Sequence, residues 1–402
     1  MNAMQTAAAP SHRPVRVLHV ITRMIVGGAQ ENTMLSCALI DGSRFTSELL
    51  TGPETGLEGE LHTESRARGV VLHVESSLVR AIHPVKDIVA LWRLMRFMRR
   101  GRWDIVHTHS SKAGILGRVA ARMAGVPSVV HTVHGWGFMP GQPPAVHALY
   151  VFLERLCARL CDTLIVVAAA DREDGLAHGI GTPRQYRLVR SGIEVAAYRD
   201  VATSSAEARS RLGLPGDAFV VGSVGRLSRQ KAPLDLLEGF ARLARELADA
   251  HLVIVGDGPL RTAVEARIAA LGLTGRIHLA GLRRDVPHLL RAFDVFALAS
   301  HWEGLPRVFP QAMAAGLPVV ATRVDGAADA VEDGVSGILV DVGDSAALGR
   351  ALVRLASDPE LRRRMGAAGR ARVEEFSAER MVRQLEDIYA ALASQRVPPP
   401  DG

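Results

Sequence analysis

The chain has 402 residues, of which 48% are hydrophobic, 22% charged and only 4% aromatic. That length exceeds one typical core and suits two domains, and so few aromatics argue against holding single-stranded nucleic acid by base stacking. A net charge of +6 and a pI near 9.7 suit acidic ligands, whether nucleotide diphosphates or anionic membrane surfaces, without choosing between them.

The first fourteen residues read as a disordered tail, with no cationic stretch followed by an apolar core, so no secretory leader is expected. From Val15 short β-branched runs alternate with amphipathic helical stretches. Strands are predicted at Val15–Thr22, Thr46–Thr51, Val70–Val74, Ile105–Thr108, Ser128–Thr132 and Thr163–Val167. Helices fall between them at Ala29–Ile40, Val85–Arg100, Ala113–Ala124 and Ala145–Leu160. This first Rossmann-like unit spans 15–196, and a stretch poor in apolar anchors, 197–216, reads as a linker. A second series follows over 217–376, with strands at Phe219–Val224, His251–Val255, Arg276–Leu279, Val295–Ala299, Pro318–Thr322 and Gly337–Val340. Its most distinct helices are Pro233–Ala248, Leu260–Leu271 and Arg307–Ala315. Such alternation implies α/β domains built on parallel sheets covered on both faces. A last helix within 377–395 is expected to cross back onto the first domain, leaving 396–402 as a tail. Two domains of this kind place their ligand crevices at the carboxyl ends of their strands, so a shared ligand lies in a central cleft.

The stretch Ala299–Thr322 is the most informative. A strand ends at Ser300, a short loop carries Glu303, Gly304, Leu305 and Pro306, and a helix opens near Arg307. Gly304 permits close backbone approach to a ligand. Amides at the helix start favour a phosphate. Glu303 is placed to accept from sugar hydroxyls, and Gln311, one turn inside, to bond a ribose. In VGRLSRQK, Arg226 and Lys231 supply two cations at a strand end, suited to the charge growing on a departing diphosphate. His107, His109, His131 and His134 invite a metal reading, but no carboxylate or cysteine accompanies them and neighbouring strand residues face opposite ways, so no metal site is expected.

These segments resemble the family 4 retaining glycosyltransferases, whose fold is called GT-B. The family signature is a glutamate, seven residues, a second glutamate and then A-M-A-x-G-x-P-V-V-A; here the first is Glu303, and Gln311 stands at the second. By resemblance, His134, Arg226, Lys231 and Glu303 form the catalytic set. Gly27 and Gly28 of the first loop, Gly281, Leu282 and Arg283 beside the base, and Gly304, Leu305, Arg307, Val308 and Gln311 hold the donor. VGDGP (255–259), HTHSSKAGILGR (107–118) and SGIE (191–194) extend the match, with Ser191 where asparagine is usual. The resemblance implies retaining transfer from a nucleotide diphosphate sugar, UDP- or GDP-linked, to a lipid-linked or growing glycan of a cell-surface polysaccharide. No metal or other cofactor is implied, and no D-x-D pair lies between the strands.

Two rivals share the fold: a nucleotide-sugar epimerase, expected to lack the Glu303 signature, and a catalytically silent nucleotide-binding subunit, hinted at by Gln311. A dehydrogenase is disfavoured because the Gly27-Gly28 loop lacks G-x-G-x-x-G. Three cysteines (Cys37, Cys157, Cys161) read as buried free thiols, and no apolar run approaches the roughly 18 residues that span a bilayer. A cytoplasmic enzyme is expected, with peripheral contact of the first domain at the inner membrane. The basic amphipathic stretch Lys86–Trp103 either rests on that membrane or, the favoured reading, packs on the sheet with its arginines wet.

Overall fold

In a computed structural model, which describes residues 13–53, 59–139 and 141–395, the chain forms two parallel sheets. The first contains β1 (Val15–Ile21), β2 (Phe45–Thr51), β3 (Val71–Val74), β4 (Ile105–His109), β5 (Ser128–Val133), β6 (Thr163–Val166) and β7 (Tyr186–Leu188), in the spatial order β3-β2-β1-β4-β5-β6-β7. The second contains β8 (Phe219–Val224), β9 (Ala250–Val255), β10 (Ile277–Gly281), β11 (Val295–Leu298), β12 (Val319–Thr322) and β13 (Gly337–Val340), in the order β10-β9-β8-β11-β12-β13. Every residue of β4, β5, β6, β11 and β12 is buried. Covered on both faces, these strands lack the regular apolar–polar alternation of a half-exposed strand, and β4 and β5 bury histidines and threonines as well as apolar residues.

The order in each sheet reverses once, between β1 and β4 in the first and between β8 and β11 in the second. Such switch points splay the neighbouring loops and open a crevice at the carboxyl ends of the strands. All the predicted strands are present. The sequence reading missed β7, only three residues long, and the helices Ala169–Ala177, Val195–Arg199 and Ser205–Arg211.

The stretch 197–216, expected as a linker, is in part packed structure. Ala208 of the helix Ser205–Arg211 and the nearby Leu214 are buried in the second domain's core. Ser204 starts that helix by accepting from the Glu207 amide at 3.2 Å, the local bond that an S-x-x-E sequence offers. At the amino end, Arg13 lies within the predicted tail yet makes a bidentate ion pair with Asp104, 2.8 Å at each bond. The remainder of that tail, 1–12, and the tail 396–402 lie outside the described residues.

The last helix, Ala378–Ser394, crosses back as expected. Ser377 caps it, accepting from Arg380 N at 3.2 Å. Its entry is pinned to the first domain by Ile193 N donating to Phe376 O at 2.9 Å and Ala378 N donating to Ile193 O at 2.8 Å. Met381, Val382, Leu385 and Tyr389 then pack against Val17, Ile105, Val130 and Ile165 under the first sheet. Burial at about 1.5–3 kcal/mol for each apolar side chain fastens the carboxyl end of the chain to the opposite domain.

On the other face of the first sheet, the helices Ser111–Met123 and Pro144–Ala158 are joined by Arg118 and Glu154, both buried, at 2.7 Å. Glu154→Ala strands the guanidinium without its counter-charge and is expected to lower unfolding free energy by about 3–5 kcal/mol. Urea unfolding of the purified variant checks this; a loss below about 1 kcal/mol would contradict it.

Candidate active site

Both switch points carry predicted site residues. In the first domain, β1 leads to Gly27 and Gly28, and β4 ends at His109 and Ser110. In the second, β8 leads to Arg226 and Lys231, and β11 leads to Ser300 and Glu303. Backbone strain marks both places. Ser110 (φ 61°) follows His109 and Ala232 (φ 42°) follows Lys231, both left-handed non-glycine residues; the third among the described residues, Arg102 (φ 49°), lies between the helix Pro84–Gly101 and β4. Strain of this kind costs about 1–3 kcal/mol and concentrates at functional sites.

The domains meet at these loops. A Cβ on Gly304 would lie 2.6 Å from the His134 carbonyl oxygen, so only glycine lets the two backbones approach so closely. Arg307, buried at the foot of the helix Val308–Ala314, donates through Nε to Gly192 O at 3.0 Å and through Nη1 to Glu31. A Cβ on Gly28 would sit 3.5 Å from its Cδ. The sequence reading gave Arg307 to the donor; its guanidinium instead clasps the first domain.

Glu303 is buried. Its Oε1 accepts from Lys231 Nζ at 2.5 Å and from Ser300 Oγ at 2.6 Å, while Oε2 has one long contact, Gln230 Nε2 at 3.5 Å. Oε2 is therefore the oxygen with capacity for a sugar hydroxyl. Arg226 is exposed, and it follows Gly225, where a Cβ would lie 3.6 Å from the Lys231 side chain. Gln311 is buried and lies near Tyr198, whose phenol pKa burial pushes up to about 12.

The other predicted positions divide. Leu305 and Val308 turn their side chains into the second domain's core, which leaves only backbone for a ligand. Gly281, with φ +66°, closes the end of β10 by accepting from Gly256 N at 2.8 Å, and Leu282 beside it is exposed. Arg283 is held by Asp285 at 2.7 and 2.6 Å.

The histidines are arranged differently from the expectation. His107 and His109, two apart on β4, share one face, and β1 adds His19 beside His107. His131 belongs to the other face, against Thr108 at 2.9 Å. His134 Nε2 lies 3.1 Å from His109 Nδ1. Burial pushes all of them down: His19 to about 3, His134 to about 4 with help from Arg307, and His107, His109 and His131 well below the usual range. The nitrogens of His19, His107 and His109 lie within 4.8 Å of one another, close enough to ligate an ion. Each of the six nitrogens, however, has a hydrogen-bond partner within the chain. Sequence reasoning missed His19, Glu31, Ser300, Gln230 and Tyr389. Of these, Ser300 and Gln230 border motifs already singled out, and the others carry no local signal.

Against known proteins, residues 204–372 match the family of glycosyl transferases group 1, and residues 27–192 match the glycosyl transferase 4-like domain. The UDP-Gal:alpha-D-GlcNAc-diphosphoundecaprenol alpha-1,3-galactosyltransferase of Escherichia coli is 31% identical, over 94% of this chain and 97% of its own. A D-inositol 3-phosphate glycosyltransferase of Saccharomonospora viridis is 32% identical, over 74% of this chain and 72% of its own. The crystal structure of Anabaena HepE in complex with UDP and glucose superposes with a TM-score of 0.81, covering 94% of this chain and 100% of that one. At 21% identity, that last likeness speaks to the fold alone.

The depressed histidines have a consequence for pH. Their folded-state pKa values lie below the ordinary 6.5, so below that pH the unfolded chain binds protons the folded one refuses. Stability is whole above about pH 6.5 and falls as acid is added. Each of His19, His107, His109 and His131 is expected to remove about 2 kcal/mol between pH 6.5 and pH 5. Urea unfolding across that range, compared with a His131→Gln variant of shallower slope, is the measurement; a flat profile would contradict the burial argument.

Proposed function

The chain belongs to the group 1 glycosyltransferases of the GT-B, family 4 type, and on that premise we propose that it transfers a sugar with retention from a uridine diphosphate sugar to a lipid-diphosphate-linked glycan. The observation that carries this reading is the meeting of the two switch points, with Lys231, Glu303 and Arg226 on one side and His134 on the other. The E. coli relative named for UDP-Gal and a diphosphoundecaprenol substrate, similar along nearly the whole chain, supports the donor and acceptor class.

In this reading Arg226 and Lys231 take the charge that develops on the leaving diphosphate. Lys231 exchanges its bond to Glu303 for a phosphate oxygen, and Glu303 keeps Ser300 and turns its remaining capacity to the sugar hydroxyls. Among the described residues, Glu31, the other carboxylate at the boundary, is held by Arg307 and so does not fill the two-acid arrangement of a hydrolase. We therefore assign deprotonation of the acceptor to the departing phosphate on the same face of the sugar. Protein cations supply the positive charge, so the reaction is proposed to need no metal ion.

Membrane docking by the first domain completes the proposal. The helix Pro84–Gly101 buries Ala90, Leu94 and Met98, as the favoured sequence reading held, yet leaves Val85, Ile88 and Trp92 exposed. The helix Pro144–Ala158 adds Leu149, Phe152 and Leu156, and Arg96, Arg99, Arg155 and Arg159 lie exposed near the carboxyl ends of the two helices. Each helix thus presents exposed apolar residues with cations toward its carboxyl end, a pattern suited to anionic lipid. No described helix is long and apolar enough to cross a membrane.

Two measurements test this. In a nucleotide-release assay over a panel of sugar nucleotides, one donor should give acceptor-dependent UDP release that survives a chelator, and Arg226→Ala or Lys231→Ala should each reduce kcat by about 10²–10³-fold. Undiminished turnover in either variant, an isomerised donor, or binding without turnover would each overturn the assignment. In co-sedimentation with anionic vesicles, Trp92→Ser combined with Phe152→Ser should release most of the bound protein; retention equal to the parent chain would contradict the docking surface.

A further inference from the structure

A file of hydrogen bonds runs from the interior of the first sheet to the cleft. Thr132 Oγ1 lies 2.7 Å from His107 Nε2, and His107 Nδ1 lies 2.5 Å from the Tyr389 hydroxyl. That hydroxyl is 3.5 Å from His19 Nε2, His19 Nδ1 is 3.0 Å from His109 Nε2, and His109 Nδ1 is 3.1 Å from His134 Nε2. All members but His134 are buried. Among the described residues His134 Nδ1 has no recorded partner, and His134 is the half-buried member at the domain boundary. The rings are neutral because their burial opposes a charge.

A neutral imidazole has one donor and one acceptor nitrogen, so a continuous file has only two states. In one, every bond is donated toward the cleft, and all four histidines carry hydrogen on Nδ1. In the other, every bond is donated inward, and all four carry it on Nε2. The Thr132 hydroxyl decides between them. When it donates to His107 Nε2, its hydrogen is satisfied. When it accepts instead, that hydrogen has no other acceptor among the described residues, in a side chain only 3% exposed. A buried donor without an acceptor is the costlier state.

We propose that Thr132, His107, Tyr389, His19 and His109 are positioning residues that lock His134 as the Nδ1–H tautomer, so that it meets the donor as a hydrogen-bond donor to a sugar or phosphate oxygen and not as a base. The inference rests on the assignment of His134 to the donor site. It also gives the crossing helix a part in the chemistry, because Tyr389 from that helix is the link between His107 and His19. The same bonds account for the three-histidine cluster without a metal ion.

The test is ¹⁵N NMR of histidine-labelled, ligand-free protein, which reads the tautomer directly and does not depend on whether any sugar is transferred. His134 should appear as a single Nδ1–H species. Tyr389→Phe severs the file and Thr132→Val removes the deciding hydrogen; in each, one nitrogen is left unsatisfied in either direction, so an Nε2–H species should rise to at least about a tenth of the signal. Thr132→Ser keeps the hydroxyl and should restore the single species, which separates tautomer control from packing. In turnover, kcat of Thr132→Val and Tyr389→Phe should fall in proportion to the lost Nδ1–H fraction, with KM for the donor unchanged. An Nε2–H tautomer in the parent protein, an unmixed His134 in both severed variants, or one metal ion per chain by elemental analysis would overturn the file. Mixed tautomers with full kcat would overturn the donor role of His134.

Discussion

A parallel α/β sheet has one end at which ligands bind, and a chain with two such sheets gains a composite site only if those ends are held face to face. Arg307 does much of that holding. It sits where the second domain's loop turns into the helix Val308–Ala314, and its buried guanidinium reaches Glu31 and the carbonyl of Gly192 in the first domain. A buried charge tolerates little displacement of its partners, because an unpaired one costs far more than the pair contributes. The same side chain lies against Gly28, so the glycine loop, the SGIE segment and the loop after β11 are positioned by one group. The close approach of Gly304 to the His134 carbonyl then follows, and a side chain at position 304 would collide with that carbonyl.

Within the cleft so formed, the charges are balanced by the chain itself. Lys231 is held by Glu303, and Arg307 by Glu31. In the proposed reaction a diphosphate would meet Lys231 already paired, so its binding would be an exchange of partners rather than capture by a bare charge. The pairing orients the lysine without ligand, and the exchange would free the Glu303 carboxylate for hydroxyl groups. Ser300, bonded to the same carboxylate oxygen at 2.6 Å, keeps Glu303 in place while its partner changes.

Much of this was legible in the sequence, for identifiable reasons. Buried parallel strands are short apolar runs, and the segment from Glu303 to Ala321 concentrates glycine, carboxylate and amide at a strand-to-helix turn where each type has a distinct use. What was not legible depends on distance along the chain. Glu31 and Arg307 are 276 positions apart, and Tyr389 meets His107 across 282. His19 joins His107 only through the register of β1 against β4. The outward face of the helix Pro144–Ala158 was not legible either. Leu149, Phe152 and Leu156 form a stripe that periodicity alone would turn inward, but Val151, Glu154, Cys157 and Ala158 occupy the inner side instead.

Gln311 stands where the family carries a second glutamate, and its surroundings explain why an amide serves. The side chain is buried near the Tyr198 phenol, which lies within electrostatic reach of both Glu31 and Arg307. A carboxylate at 311 would place a buried negative charge near Tyr198, while Arg307 is already committed to Glu31 and to holding the domains together. Burying that charge without a partner of its own is costly, whereas an amide both donates and accepts with no net charge. The clasp that aligns the two crevices therefore limits the charge that position 311 can carry, and glutamine keeps its hydrogen-bonding capacity without competing for the arginine.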